Sequence, residues 1–139
     1  MTTDITSLDS SNQNTFDVPV VFDDNGDEVS GFKVVGKNSI EYRAARRAQE
    51  VVGIKRASVR GGKQPDAKTD AGAAYYLDYA AENEVGIAIA CVTGWYGFAK
   101  DGAEIPLTAE ALASVFAKRP TWREKVSAAI EVDANFTKA

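Results

Sequence analysis

The spacing of apolar residues changes several times along this chain, and each change marks an element. In residues 16–36, FDVPVVFDDNGDEVSGFKVVG, two β-rich runs flank Asp24-Asn25-Gly26-Asp27. Asn-Gly supplies the positive φ that tight hairpin turns demand, so 16–22 and 28–35 are expected to pair antiparallel. Pro19 cannot donate to a ladder, which puts the first strand at an edge or beside a bulge. From Asn38 the period lengthens. Asn38 and Glu41 have the spacing of a capping box, and Ile40, Ala44, Ala48 and Val51 recur at helical intervals up to Gly53. That pattern predicts a helix over about 39–52 whose narrow, small-residue face needs a neighbour.

Residues 54–69 contain Gly61-Gly62 and Pro65 and keep no period, so they read as a loop longer than usual. Thr69 or Asp70 then caps a second helix over about 70–93. Its end, Val85–Val92, is almost wholly apolar and belongs in a core; a buried strand is the alternative there, and the Ala-rich lead-in favours helix. Tyr75, Tyr76 and Tyr79 fit a core edge. Gly94 suits the helix end and Asp101-Gly102 a tight turn, so the chain reverses between them in a short hairpin or ordered loop. Thr108 opens a helix to about 118 with Leu112, Val115 and Phe116 on one face. After Pro120, Thr121 and Glu124 suggest another capping box for a helix over about 121–136, with Trp122, Val126, Ala129 and Ile130 inward.

These elements predict an α+β fold: one domain over 16–139, an N-terminal β-hairpin packed with about four helices. Residues 1–15, Ser/Thr/Asn/Asp-rich with only Ile5 and Leu8 as large apolar groups, are expected to form a disordered tail. At 139 residues and 45% apolar, the chain can bury a core without disulfides or metal. Cys91, the single cysteine, sits in an apolar run and reads as a buried small hydrophobe. The start has no basic and apolar leader pattern, and no stretch reaches the length of a membrane span, so a reducing cytoplasm is the expected location.

The chemistry the chain lacks narrows its function. It contains no His, which removes Ser-His-Asp and Cys-His arrangements and His-containing zinc sites. Gly61-Gly62-Lys63-Gln64 is not a P-loop, Asp23–Glu28 lacks the spacing of a calcium loop, and no nucleophile elbow occurs. The carboxylate pairs Asp23/Asp24 and Glu82/Glu84 read as solvated residues. The sequence thus nominates no catalytic, cofactor-binding or metal-ligating residue, and points away from an enzyme. Net charge is −4 but uneven: residues 37–68 carry 9 bases and 3 acids, while 1–36 carry 7 acids and 1 base. The basic segment, with Arg43, Arg46, Arg47, Lys55, Arg56, Arg60, Lys63 and Lys68, could contact nucleic-acid phosphates. It has only Tyr42 interleaved and matches no recognition module, so a solvated face or protein-docking loop is the better reading. Candidate partner-binding residues are the aromatics near element ends, Trp95, Tyr96, Phe98 and Trp122, with Arg56 and Arg60 of the basic segment.

The string VTGWYGFAKDGAEIPLTAEALASVFAKRPTWREKVSAAI resembles tail assembly chaperones of long-tailed bacteriophages. An apolar helix runs into Trp95-x-Gly97-Phe98, then an Asp101-Gly102 turn, then Ile105-Pro106-Leu107-Thr108, a helix with Glu110 and Leu112, and a last helix after Pro120. The likeness covers about a third of the chain. It implies a non-enzymatic assembly factor that binds the tape measure protein, helps recruit tail tube protein, works in the host cytoplasm and is absent from the mature virion. It leaves room for self-association and needs no cofactor. The competing readings are a structural tail or neck component of the virion and a small nucleic-acid binder using residues 43–68.

Overall fold

A computed structural model describes Ile5 and residues 14–59 and 64–137. The elements are β1 (Phe16–Phe22), β2 (Glu28–Val34), α1 (Ile40–Val59), α2 (Asp70–Cys91), β3 (Val92–Tyr96), β4 (Ala99–Lys100), β5 (Ala103–Glu104), α3 (Ala109–Lys118) and α4 (Pro120–Glu131), then a 3-10 turn at Asp133–Asn135. The α+β class and the N-terminal hairpin are as the sequence predicts. The expected disordered tail lies almost wholly outside the described residues. Its described end is anchored, since the Asn14 amide donates to the Phe136 carbonyl at 3.1 Å.

β1, β2 and β3 form an antiparallel sheet with β2 in the middle, and the hairpin register slips at Pro19, on the edge strand where a missing donor costs least. In the β1–β2 turn the Asp23 carboxylate accepts from the backbone N–H groups of Asn25 and Asp27, both at 2.9 Å, and Gly26 supplies a φ of +81°. β3 corrects the expectation that Gly94 caps α2, while the short hairpin expected as one alternative further on is β4–β5. Gly94 is no helix terminus; it pairs with Lys33 inside the sheet. The helix stops at Cys91 because the Val35 N–H takes the Cys91 carbonyl at 2.9 Å, which turns the chain straight into the ladder. β4 and β5 pair around Asp101-Gly102, both with positive φ, as a tight turn requires.

The helix starts are partly as expected. Thr69 and Thr108 each cap through the side-chain oxygen, to Gly72 N–H at 3.0 Å and Ala111 N–H at 3.1 Å. The Asn38/Glu41 box is replaced by Ser39, whose hydroxyl accepts from Tyr42 N–H at 3.1 Å and donates to the Gly36 carbonyl at 2.6 Å. Asn38 instead reaches Asp133 at 3.3 Å. The Thr121/Glu124 box also gives way. α4 starts one residue earlier on Pro120, whose fixed φ and absent N–H suit a first position, and no side chain caps it.

The inner face of the sheet, the C-terminal end of α2, and α3 and α4 enclose the core: Phe32, Val34, Ala88, Cys91, Leu112, Phe116, Val126 and Ile130. Cys91 is buried as predicted, and burial pushes its thiol up to about 12. The α3 and α4 faces read from the sequence are the faces that pack. Phe136 closes the bottom against Phe16, ring centroids 6.2 Å apart.

Candidate docking surface

α1 is the main departure from expectation. The helix does not end at Gly53 but runs to Val59, so the first six residues of the expected loop are helical. Gly53 is kept as an approach point: a Cβ there would lie 3.1 Å from the Tyr79 hydroxyl across on α2. A glycine within a helix costs about 1 kcal/mol against alanine. Here it lets two helices close on a tyrosine. Beyond it, Ile54-Lys55-Arg56-Ala57 are adequate helix formers and the helix continues.

The face is different too. Tyr42, Ala45, Gln49, Gly53 and Ala57 are the partly buried positions of α1, and they turn toward α2. The predicted apolar face, Ile40, Ala44, Ala48 and Val51, points to solvent with Val52, Ile54 and Val59 beside it. No residue of α1 is buried, and α2 is the element it packs on. Ile54 is 69% exposed and Val59 88%, far above what an internal helix face would show. Two helices thus make an arm that leaves the body, with the basic residues Arg43, Arg46, Arg47, Lys55 and Arg56 along α1.

Side chains fix the arm to itself. Gln49 donates to the Asn83 carbonyl at 2.7 Å. The Arg56 guanidinium sits 4.9 Å over the Tyr79 ring, and Tyr75 stacks on Tyr79 at 6.2 Å. Tyr76 donates to the Pro65 carbonyl at 2.8 Å and binds the end of the connection to α2. Where the arm meets the body, Arg123 of α4 pairs with Glu84 of α2 at 2.9 Å.

The nominated aromatics lie elsewhere. Phe32 is the hub of a five-ring cluster, stacked on Phe98 at 5.3 Å and within 6.5 Å of Phe116 and Trp122; Trp95 packs on Phe98 at 4.9 Å. Trp95 also donates its indole N–H to the Ile105 carbonyl at 3.0 Å. Trp95, Phe98 and Trp122 are half-buried and directed at one another. Tyr96 lies across the sheet with its hydroxyl donating to Glu28 at 3.2 Å; burial, and then this bond, raises its pKa. Arg56 is on the arm, remote in the fold from the rings, and Arg60 falls outside the described residues. Of the nominated set, Trp95, Phe98 and Trp122 are brought together as packed rings, while Tyr96 and Arg56 stand apart from them.

Sequence reasoning missed the outward stripe as a surface because helical spacing reports that a face is apolar and not where it points. One signal was available. Three tyrosines clustered at the start of α2 need small residues opposite, and Gly53 and Ala57 are small residues on α1 one helical turn apart. Among the described residues no group of three acidic or cysteine side chains could hold a metal ion, and no helix is long and apolar enough to cross a membrane. Compared with protein-family models, curated proteins and solved structures, the chain finds no match in any of the three.

Proposed function

We propose that this protein is a non-enzymatic tail assembly chaperone that holds an apolar stripe of a tape measure protein and helps bring tail tube subunits to it. The observation that supports the reading is the outward face of α1: Ile40, Ala44, Ala48, Val51 and Ile54 form an apolar helical stripe with no packing partner among the described residues. Arg47 and Lys55 fall within the same face and limit self-aggregation of the stripe without burying it. A tape measure is a long helix whose own apolar stripe needs cover, and helix-against-helix docking is a general mode of holding one. Many weak contacts along one filament suffice by multivalency. The host cytoplasm and absence from the finished particle belong to the same proposal.

Co-expression with the tape measure protein encoded beside it tests the reading. Soluble yield of the tape measure should rise, and Val51→Asp should remove the gain while the variant stays folded. No rise with the unaltered chain counts against the proposal. Mass spectrometry of purified particles separates it from a virion component, which would be present at many copies.

A further inference from the structure

The three-stranded sheet has two outer strands, β1 and β3, and they are not alike. β1 is protected as an edge: Pro19 removes a donor, the register slips on both sides of Val21, and Asp17 carries a charge that meets Lys33 at 3.9 Å. β3 has no proline and no charged side chain over Val92–Tyr96, and its one register shift falls at its start, between Val92 and Gly94. Beyond β2, the backbone of Gly94, Trp95 and Tyr96 has no partner among the described residues. Alternate N–H and C=O groups along such a strand face outward, and unmatched they form a template for another chain.

An open groove of about 390 Å³ lies between β3 and residues 104–107. Consecutive residues of β3 line it, from Thr93 to Tyr96, so it follows the edge of the strand; a hollow on one face would touch alternate residues. The far wall has little backbone to offer. The Ile105 carbonyl accepts from the Trp95 indole at 3.0 Å, the Ile105 N–H donates to the Phe98 carbonyl at 3.1 Å, and Pro106 has no N–H. That wall presents Pro106 and Leu107 as apolar surface. Glu104 is the groove's one charged residue, and it enters no ion pair among the described residues.

The geometry points to strand addition at β3: an extended segment of another polypeptide lies in this groove as a fourth strand, with an apolar side chain against Pro106 and Leu107 and a basic one beside Glu104. The edge itself sets the conformation of the guest, because only a backbone in the β conformation matches main-chain groups at strand spacing. Five residues at about 3.4 Å each make an edge of about 17 Å, which takes about five guest residues. Glu104 sets the charge. The β3 edge of a second copy would bring Glu104 towards Glu104, and residues 1–13 of this chain carry two acids and no base, so like charge disfavours both as occupants. This surface is separate from the outward stripe of α1 and does not depend on what that stripe holds.

Amide hydrogen exchange on the full chain, read residue by residue by NMR, tests this with the synthetic peptide acetyl-Thr-Val-Lys-Val-Thr-Val-amide. Alone, the chain should exchange the β3 amides that face away from β2 freely. Saturating peptide should slow them by about tenfold or more and leave the β1 amides unchanged. A form of the peptide with every amide N-methylated should not bind, and one with Glu in place of Lys should bind about fivefold more weakly. Glu104→Lys, an exposed substitution, should reverse the preference between the Lys and Glu peptides. Val51→Asp should leave all of this as it is. The assignment is overturned if the outward β3 amides are already protected in the chain alone, which would mean that its own residues or a second copy cover them. It is equally overturned by absence of saturable binding up to millimolar peptide, by binding of the N-methylated form, by protection of β1 in place of β3, or by an unaltered preference in Glu104→Lys. None of these results touches the tape-measure reading, whose readout is soluble yield.

Discussion

The body and the arm are built from the same kinds of residue and hold them in opposite ways. In the body, Phe32, Val34, Leu112, Val126 and Ile130 are withdrawn from water and aromatic rings close over Phe32. In the arm, Val51, Val52, Ile54 and Val59 stay in solvent, and cohesion comes from tyrosine stacking, one cation–π contact and a glutamine bonded to a helix carbonyl. Burying a large apolar side chain contributes about 1.5–3 kcal/mol, and the arm forgoes this on its outer face. Stability therefore resides in the body and the unspent apolar surface in the arm.

The contrast can be broken most forcefully at Phe32. Phe32→Ala should cost about 4 kcal/mol by emptying the centre of the ring cluster, read as a lower denaturant midpoint. Trp122→Ala should follow in the same direction with a smaller loss, since that ring is only half-buried; an unchanged melt would move Trp122 from the body's account to a binding surface. Cys91 sharpens the comparison through pH. Its thiol is raised from 9.0 to about 12 by burial, so the folded state holds its proton more tightly than the unfolded one. The associated stability is complete below pH 9 and is lost as pH rises toward 12, and Cys91→Ala should flatten that alkaline wing of the stability curve. Gly97 has a φ of +77°, and a Cβ there would collide with the Val29 carbonyl, so Gly97→Ala should cost about 1–3 kcal/mol and loosen the sheet edge where Ser30 donates to the Gly97 carbonyl at 2.7 Å. Ile54→Asp should be the mildest, within about 0.5 kcal/mol in the melt, because it exchanges one solvated side chain for another. A large loss at Ile54 would mean that the outer face of α1 is packed in solution.

Much of the body was legible in the sequence, because its signals are local. Asp24-Asn25-Gly26 and Asp101-Gly102 specify their turns through backbone φ, Thr69 and Thr108 cap through short side chains, and the Leu112/Phe116 and Val126/Ile130 pairs are one helical turn apart. The misreadings came where a distant partner decides. Gly53 would end a helix in isolation, yet Tyr79, 26 positions on, makes it an interior contact. Val92 and Thr93 would continue the helix that ends at Cys91, yet Val35 draws the chain into a sheet. The outer and inner faces of α1 have similar periodicity, and only the tyrosines of α2 choose between them.

The closure at Phe136 has a practical consequence. The Asn14 amide and the Phe16 ring both rest on Phe136, so the two ends of the described fold lie side by side at the base of the body, while the arm begins from Ser39 and runs for 20 residues, about 30 Å, from there. A short glycine-serine bridge between these ends, with new termini opened elsewhere, should yield a circular permutant that keeps its topology. Labels, tethers and fusion partners attached at the base would leave the far tip of the lever unencumbered.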